Sequence, residues 1–369
     1  MTSMNLIQAR IDCYRLRYTR EVVWANAVEA EGLYALLTLT DDSGAVGVAE
    51  GTIKAAWSGV SARSLRAVLE DVLLPRLMAR DLESPAAAAA LLAGVPENRL
   101  AKAMIDNALW QIAAALDGRP LWQWWAEGGH DGRVPIAWAV TRQQPAAMAE
   151  EAARMCAAHG FRTLKVKGGQ GLATDLDALA QIRSAVGPGI ELFVDANGGC
   201  APGQAIEYVQ RIADAGASVA EDPCTLAPDT DFSALQRASP IPVLVDRACV
   251  EPADAAAFLD RGARALSTKP GRIGFSAARE ISALAAAAGA QVALGLYAES
   301  ALGTAINAQY ATALGPGRAL VAAEQSFHLM LADQVTSTPL SIRDGVLDLS
   351  LLPTPVAMID RARLQRFAA

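Results

Sequence analysis

The five cysteines of this sequence, Cys13, Cys156, Cys200, Cys224 and Cys249, are an odd and scattered set without a Cys-x-x-Cys spacing. Such a set supports neither a structural zinc site nor a disulfide framework, and it fits a reducing cytoplasm. Cys200, Cys224 and Cys249 fall just past predicted strands, but no predicted strand ends on a histidine that could activate a thiol. Runs of lysine and arginine are missing too, and the net charge is −7, which argues against nucleic acid as a partner. The opening residues MTSMNLIQAR have no signal-peptide apolar core. One stretch, 281–298, is uncharged for 18 residues, the length of a membrane span. Its alanines, the helix stop Gly289 and the strand-like Val292-Ala-Leu294 predict a helix followed by a strand, so no membrane partner is expected.

What the chain does have is a recurring pattern. Its 369 residues, 52% hydrophobic and 19% charged, have the composition of a well-buried globular enzyme with room for two domains. From Thr163 onward short apolar runs recur, each ending on a polar or charged residue: 163–167, 191–195, 218–221, 242–246, 265–269, 291–296 and 319–324. From Lys167 the run ends follow at intervals of 28, 26, 25 and 23 residues, room each time for a strand, a loop and an amphipathic helix. The run Val134–Val140 brings the count to eight, which predicts a parallel β/α barrel of TIM type. Helices are expected at 175–186, 202–215, 252–261 and 276–288.

Ahead of the barrel the pattern changes. Residues 5–19, 33–40 and 45–50 read as strands, with a turn at Asp41–Gly44, and helical periodicity follows in 62–80 and 98–116. Strands followed by helices predict an N-terminal α+β capping domain. The glycines at 128, 129 and 132 mark its end, giving a cap of residues 1–130, a barrel of 131–335 and a tail of 336–369 that rejoins the cap. Within the tail, 340–349 reads as a hairpin expected to pack on the first domain.

Asp195, Glu221 and Asp246 end three successive predicted strands, so they are neighbours around the barrel mouth, where catalytic groups of this fold gather. Three carboxylates so close repel one another unless a cation lies among them, and all-oxygen ligands suit Mg²⁺ first and Mn²⁺ second. Lys165 and Lys167 share one face of their strand, and Val166 points to the helical layer, which places both lysines inside the barrel. Lys269 approaches the same cavity from the other side. A metal between lysines suits one reaction class: a substrate carboxylate binds the metal, a lysine moves the proton on the adjacent carbon, and the metal stabilises the enolate.

These motifs resemble those of the enolase superfamily, in particular its muconate-lactonizing (muconate cycloisomerase) subgroup. Gly47-Val-Ala-Glu50, Ala103–Trp110, Lys165-Val-Lys167, Val194-Asp-Ala-Asn197, Glu221-Asp-Pro223, Asp246, Lys269–Gly274, Glu299-Ser300 and the tail from Ala323 carry the likeness. The resemblance implies metal ligands at Asp195, Glu221 and Asp246, with Lys167 as the principal proton carrier, Lys165 supporting it and Lys269 facing it. It also implies that the barrel takes the modified (β/α)7β form, and with it a homo-oligomer, a small carboxylate substrate, and capping loops at 18–28 and 51–60. On that basis Trp24, Trp57, Asn197, Arg247, Glu299 and Glu324 are candidates for substrate contact. The chain departs from the family at Arg247, where Glu is usual, and at the paired glycines Gly168-Gly169 and Gly198-Gly199. Ala322-Ala-Glu324 stands where dipeptide epimerases carry Asp-x-Asp. The expected reaction is a muconate-type cycloisomerisation. The alternatives are a racemase or epimerase of an amino acid derivative, or a carboxylate-binding barrel impaired by Arg247.

Overall fold

A computed structural model describes residues 3–126, 129–315 and 317–369; Gly128, one of the expected boundary glycines, lies outside them. The N-terminal sheet is antiparallel. Strand β1 (Met4–Val23) pairs with β2 (Val28–Asp41), β2 pairs with β3 (Val46–Ile53), and the short β4 (Asp81–Leu82) lies on the other edge of β1. The β2–β3 turn closes where expected, with Gly44 N–H donating to the Asp41 carbonyl at 2.9 Å. The helix Arg99–Leu116 lays Leu100, Met104, Ala108 and Ile112 on the sheet. It rides so close to β3 that a Cβ at Gly47 would stand 1.9 Å from the Ala108 carbonyl oxygen. The helix expected over 62–80 is broken: α-helical to Ala67, a π-turn over Val68–Leu73, and a 3-10 turn ending at Arg76. Pro75 accounts for this, since its ring clashes with the carbonyl four residues back and it has no N–H to donate.

Seven parallel strands follow in sequence order: β6 (Trp138–Val140), β7 (Thr163–Lys167), β8 (Glu191–Asp195), β9 (Ala217–Glu221), β10 (Val243–Val245), β11 (Ala265–Thr268) and β12 (Gln291–Leu294). The eighth run closes the ring without forming a regular strand. Leu320 and Glu324 N–H donate to Val292 and Leu294 on one side, at 2.8 and 2.9 Å. On the other side Ala323 N–H donates to Pro135 at 2.9 Å and Ala137 N–H to Ala323 at 2.8 Å. One residue from each of seven runs, Ala137, Phe193, Val219, Leu244, Ala265, Ala293 and Val321, fills the interior beneath the mouth. Val166 joins the outer core with the helices, so Lys165 faces inward. The stretch 281–298 is indeed the end of a helix (Phe275–Ala287), a turn and β12. Among the described residues no helix is long and apolar enough to cross a membrane.

Two expectations need correcting. The run 134–140 is split, because Arg133–Pro135 (β5) pairs antiparallel with β14 (Val346–Asp348) while 136–140 goes on into the barrel, bridging Ala323 at Ile136 and pairing with β7 over 138–140. The hairpin of β13 (Ile342–Arg343) and β14 therefore sits on β5 at the base of the barrel, with Gly345 N–H donating to the His159 carbonyl at 2.7 Å. The last residues are what reach the first sheet: Arg15 N–H donates to Phe367 and Ala369 N–H to Cys13, both at 2.9 Å.

Candidate active site

Strand register brings the charged run ends together. Lys167 lies opposite Asp195 and Asp195 opposite Glu221, while Asp246 and Lys269 each follow directly on a strand. Asp195 and Glu221 are fully buried and Lys165 is 1% exposed, so none of these charges is cancelled by water. They are cancelled by each other. Lys165 Nζ lies 2.8 Å from Glu221 Oε1, 2.8 Å from Glu324 Oε2 and 3.0 Å from Asp195 Oδ2. Lys167 Nζ donates to Asp195 Oδ2 at 2.6 Å. Lys269 Nζ donates to Asp246 Oδ2, and Arg272 Nη2 is 3.3 Å from Asp246 Oδ1.

The titration directions follow from this interleaving. Burial alone would raise the pKa of Asp195, but Lys165 and Lys167 hold it far below the usual carboxylate range. Lys269 and Arg272 do the same for Asp246 against the same opposing burial. Glu221 is driven the other way, well above its ordinary value, by burial and then by the charge of Asp195, which Lys165 offsets only in part. Burial and the Asp246 charge push Asp222 up to about 7. Its carboxylate accepts the N–H groups of Asp246 and Arg247 at 3.1 and 2.9 Å, which fixes the loop after β10.

Among the described residues no three His, Cys, Asp or Glu side chains are gathered about one ion position; the carboxylates are turned onto ammonium groups instead. The donor set nonetheless fits a hard divalent ion. Asp195, Glu221 and Asp246 supply only oxygen from adjacent strand ends, and Glu221 Oε2 is buried without a well-formed hydrogen bond, although Lys165 Nζ stands 2.7 Å away. Glu221 resists ionisation first because it is buried and then because Lys165 only partly offsets the charge of Asp195, and a further cation would offset the remainder.

The remaining candidates are distributed around this cluster. Glu324 is within it, bound to Lys165. Glu299 is buried beside it but engaged elsewhere, accepting Tyr297 N–H at 2.8 Å and Asn307 Nδ2 at 3.1 Å, and burial pushes it up to about 7. Half-buried Asn197, at φ 51°, donates its N–H to Asp195 Oδ1 at 2.8 Å and accepts Arg247 Nη1 on its carbonyl at 2.9 Å. Arg247 is exposed at the rim and makes no ion pair among the described residues. The two departures at paired glycines prove to be one feature. A Cβ at Gly169 would stand 2.2 Å from the Ala196 carbonyl oxygen, and one at Gly199 would stand 2.7 Å from Gly169 Cα, so the loops after β7 and β8 touch backbone to backbone. Burial raises the thiols of Cys200 (to about 11), Cys224 and Cys249 (to about 12), so none is a ready nucleophile.

Trp24 and Trp57 meet edge to face, with ring centroids 5.0 Å apart, over the loops that follow β12 and the eighth run. Trp57 packs on Tyr297 at 5.4 Å and Trp24 on Phe327 at 5.5 Å. Beneath them is a residue the sequence reading did not single out, Lys54, which binds Glu29 and donates to the Tyr18 hydroxyl at 2.7 Å. Its nearness to Trp57 and the apolar strand before it were the available signals. Arg272 was also passed over; a single helical turn, Pro270–Ile273, returns it to Asp246.

Family comparison agrees with this architecture. Residues 11–124 match the mandelate racemase / muconate lactonizing enzyme N-terminal domain, and residues 147–353 match an enolase C-terminal domain-like model. The chain belongs to the enolase superfamily, in its muconate lactonizing subgroup. It is 30% identical to the L-Ala-D/L-Glu epimerase of Bacillus subtilis (strain 168), over 75% of this chain and 76% of that protein. It is 29% identical to muconate cycloisomerase 1-2 of Acinetobacter lwoffii, over 88% and 85%. The crystal structure of a muconate lactonizing enzyme from Mucobacterium Smegmatis complexed with muconolactone superposes with a TM-score of 0.91 at 26% identity, covering 99% of this chain and 100% of that one. This member of the superfamily is thus an enzyme, an isomerase or lyase. Because its relatives include both cycloisomerases and an epimerase, membership does not select the reaction.

Proposed function

We propose that this enzyme moves the proton on the carbon adjacent to a substrate carboxylate, with Asp195, Glu221 and Asp246 holding a divalent cation, Mg²⁺ or Mn²⁺. The observation that carries the reading is the placement of the ammonium groups: Lys167 on Asp195 and Lys269 on Asp246, with Glu221 on the strand between. When bound, the metal supplies positive charge to the substrate carboxylate and to the enolate formed from it. Lys167 Nζ moves the proton from one side and Lys269 Nζ stands on the other. Lys165, clasped by Asp195, Glu221 and Glu324, stays charged and helps hold the Asp195 carboxylate ionised beside the site. The cap, residues 1–130 joined by the last residues of the tail, covers the mouth of the barrel, 131–335, and its tryptophans shut water out.

The substrate we assign is a muconate-like dicarboxylate, closed to a lactone. Arg247 supports it, being an exposed guanidinium at the rim with room for a second carboxylate. The lysines on both flanks favour, as the second reading, a racemase or epimerase of an amino acid derivative. Muconates, N-acylated amino acids and dipeptides should be screened in D₂O. The expected result is deuterium on the carbon next to the carboxylate, abolished by Lys167→Ala and by Asp195→Asn while both variants stay folded. Full turnover in excess chelator would overturn the metal reading. Ligand-induced stabilisation without exchange for any compound would mark a binding barrel. Stereo-inversion of an amino acid derivative, with no muconate consumed, would replace the first reading by the second.

A further inference from the structure

Lys269 stands at the head of a tight turn that is gripped from outside the barrel. Its carbonyl accepts the N–H groups of Arg272 and Ile273 at 2.7 and 3.0 Å, Gly274 follows at φ 87°, and the helix Phe275–Ala287 begins. Asn107, from the first-domain helix 99–116 and 2% exposed, spans the whole turn. Its Nδ2 donates to the Pro270 carbonyl at 3.0 Å and its Oδ1 accepts the Phe275 N–H at 2.8 Å. One buried amide therefore ties the residue directly after Lys269 to the first residue of the next helix. On the opposite side a Cβ at Gly271 would stand 2.7 Å from Asn307 Nδ2 and 3.0 Å from Glu299 Oε1, so the turn cannot slide that way.

We propose that Asn107 is a positioning residue for Lys269: it fixes the backbone from which the lysine reaches its side of the substrate. This rests on the proton-transfer reading above. Only a side chain that both donates and accepts can hold a carbonyl and an N–H across the turn. Aspartate at this position lacks the donor, and alanine lacks both groups. Displacing a reacting group by about an ångström costs on the order of 100-fold in rate, so release of the turn is felt at Nζ.

The test separates the two faces of the substrate. Exchange in D₂O is measured separately for each hand of N-succinylated amino acids and for L-Ala-L-Glu and L-Ala-D-Glu. Lys167→Ala and Lys269→Ala assign each hand to its lysine. The expected result is that Asn107→Ala and Asn107→Asp lower exchange on the Lys269 face by about 10- to 100-fold relative to the Lys167 face. Asp106→Asn is the control. Asp106 accepts the Ser276 N–H at 2.8 Å, so the variant loosens the same interface without freeing Pro270, and no one-sided loss should follow. Equal loss on both faces in the Asn107 variants, or the same one-sided loss in Asp106→Asn, overturns the proposal. If Lys269→Ala leaves both faces intact, the proton-transfer reading falls instead. A readout independent of turnover is amide hydrogen exchange over 269–275, with circular dichroism to show that each variant is folded. Protection of the Phe275 amide must fall in Asn107→Ala, and its retention overturns the proposal.

Discussion

Lys54 and Lys165 are each 1% exposed, and their ammonium groups are driven in opposite directions. Burial pushes both towards the neutral amine. For Lys165 the charges of Asp195, Glu221, Glu324 and Asp246 outweigh burial and carry its pKa well above the ordinary lysine value. For Lys54 the one carboxylate is Glu29, with the rings of Tyr18, Trp24 and Trp57 centred 5.3, 4.8 and 5.4 Å from Nζ, and burial prevails. One ion pair does not offset the desolvation of a buried ammonium, whereas a cage of carboxylates does. The difference matches position. Lys165 is a permanent charge in the barrel floor, and Lys54 is a fastener between capping strands.

The largest effect should come from removing the permanent charge. Lys165→Met leaves Asp195, Glu221 and Glu324 buried around no shared cation, and urea unfolding in chelator should show a loss of about 3–5 kcal/mol. A loss below about 1 kcal/mol would break the contrast with Lys54. The same contest in an acid is found at Glu299, which titrates from 4.5 when unfolded to about 7 when folded. Between those values the folded chain binds the extra proton, so this group's contribution falls as pH rises. Relative to Glu299→Gln, wild-type stability should decline by about 3 kcal/mol from pH 4.5 to 7, at about 1.4 kcal/mol per pH unit. Parallel stability profiles for the two proteins would refute it.

Lys54 should behave differently in size and in sign. Replacing the pair together, Lys54→Met with Glu29→Gln, should alter stability by no more than about 1 kcal/mol, because the lost attraction is offset by relief from desolvation. Its folded pKa lies below 10.5, so the unfolded chain carries more protons between the depressed value and 10.5, and stability rises with pH across that window. Wild type should therefore gain on Lys54→Met as pH approaches 10.5, and a pH-independent difference would show that Glu29 alone holds the charge. The smallest effect is expected at Arg247, where the side chain is exposed and donates one hydrogen bond. Arg247→Gln should change unfolding free energy by less than about 0.5 kcal/mol. If it does so while muconate turnover collapses, the guanidinium acts on substrate and not on the fold.

Much of the site could be read from the chain because its determinants are local. Apolar runs of strand length, each ending on a charge, mark the barrel and its mouth, and alternation along Thr163–Lys167 turns both lysines inward. Nothing local says that Arg133–Pro135 will leave the barrel strand to pair with a hairpin more than 200 residues later, since that choice depends on what lies beside it. Which ammonium touches which carboxylate is likewise a matter of strand register and of side chains arriving from separate βα units. The role of Lys54 is settled in the same way, by distant neighbours: its partners come from β1, β2 and the loop beyond Val23, and its roof meets Phe327 and Tyr297 of the barrel. The repeating unit, the residue types at the mouth and their facing are written in the chain itself. The pairing of charges and the sign of each titration arise on folding, because Coulomb energy and desolvation depend on distances between residues that the chain keeps far apart.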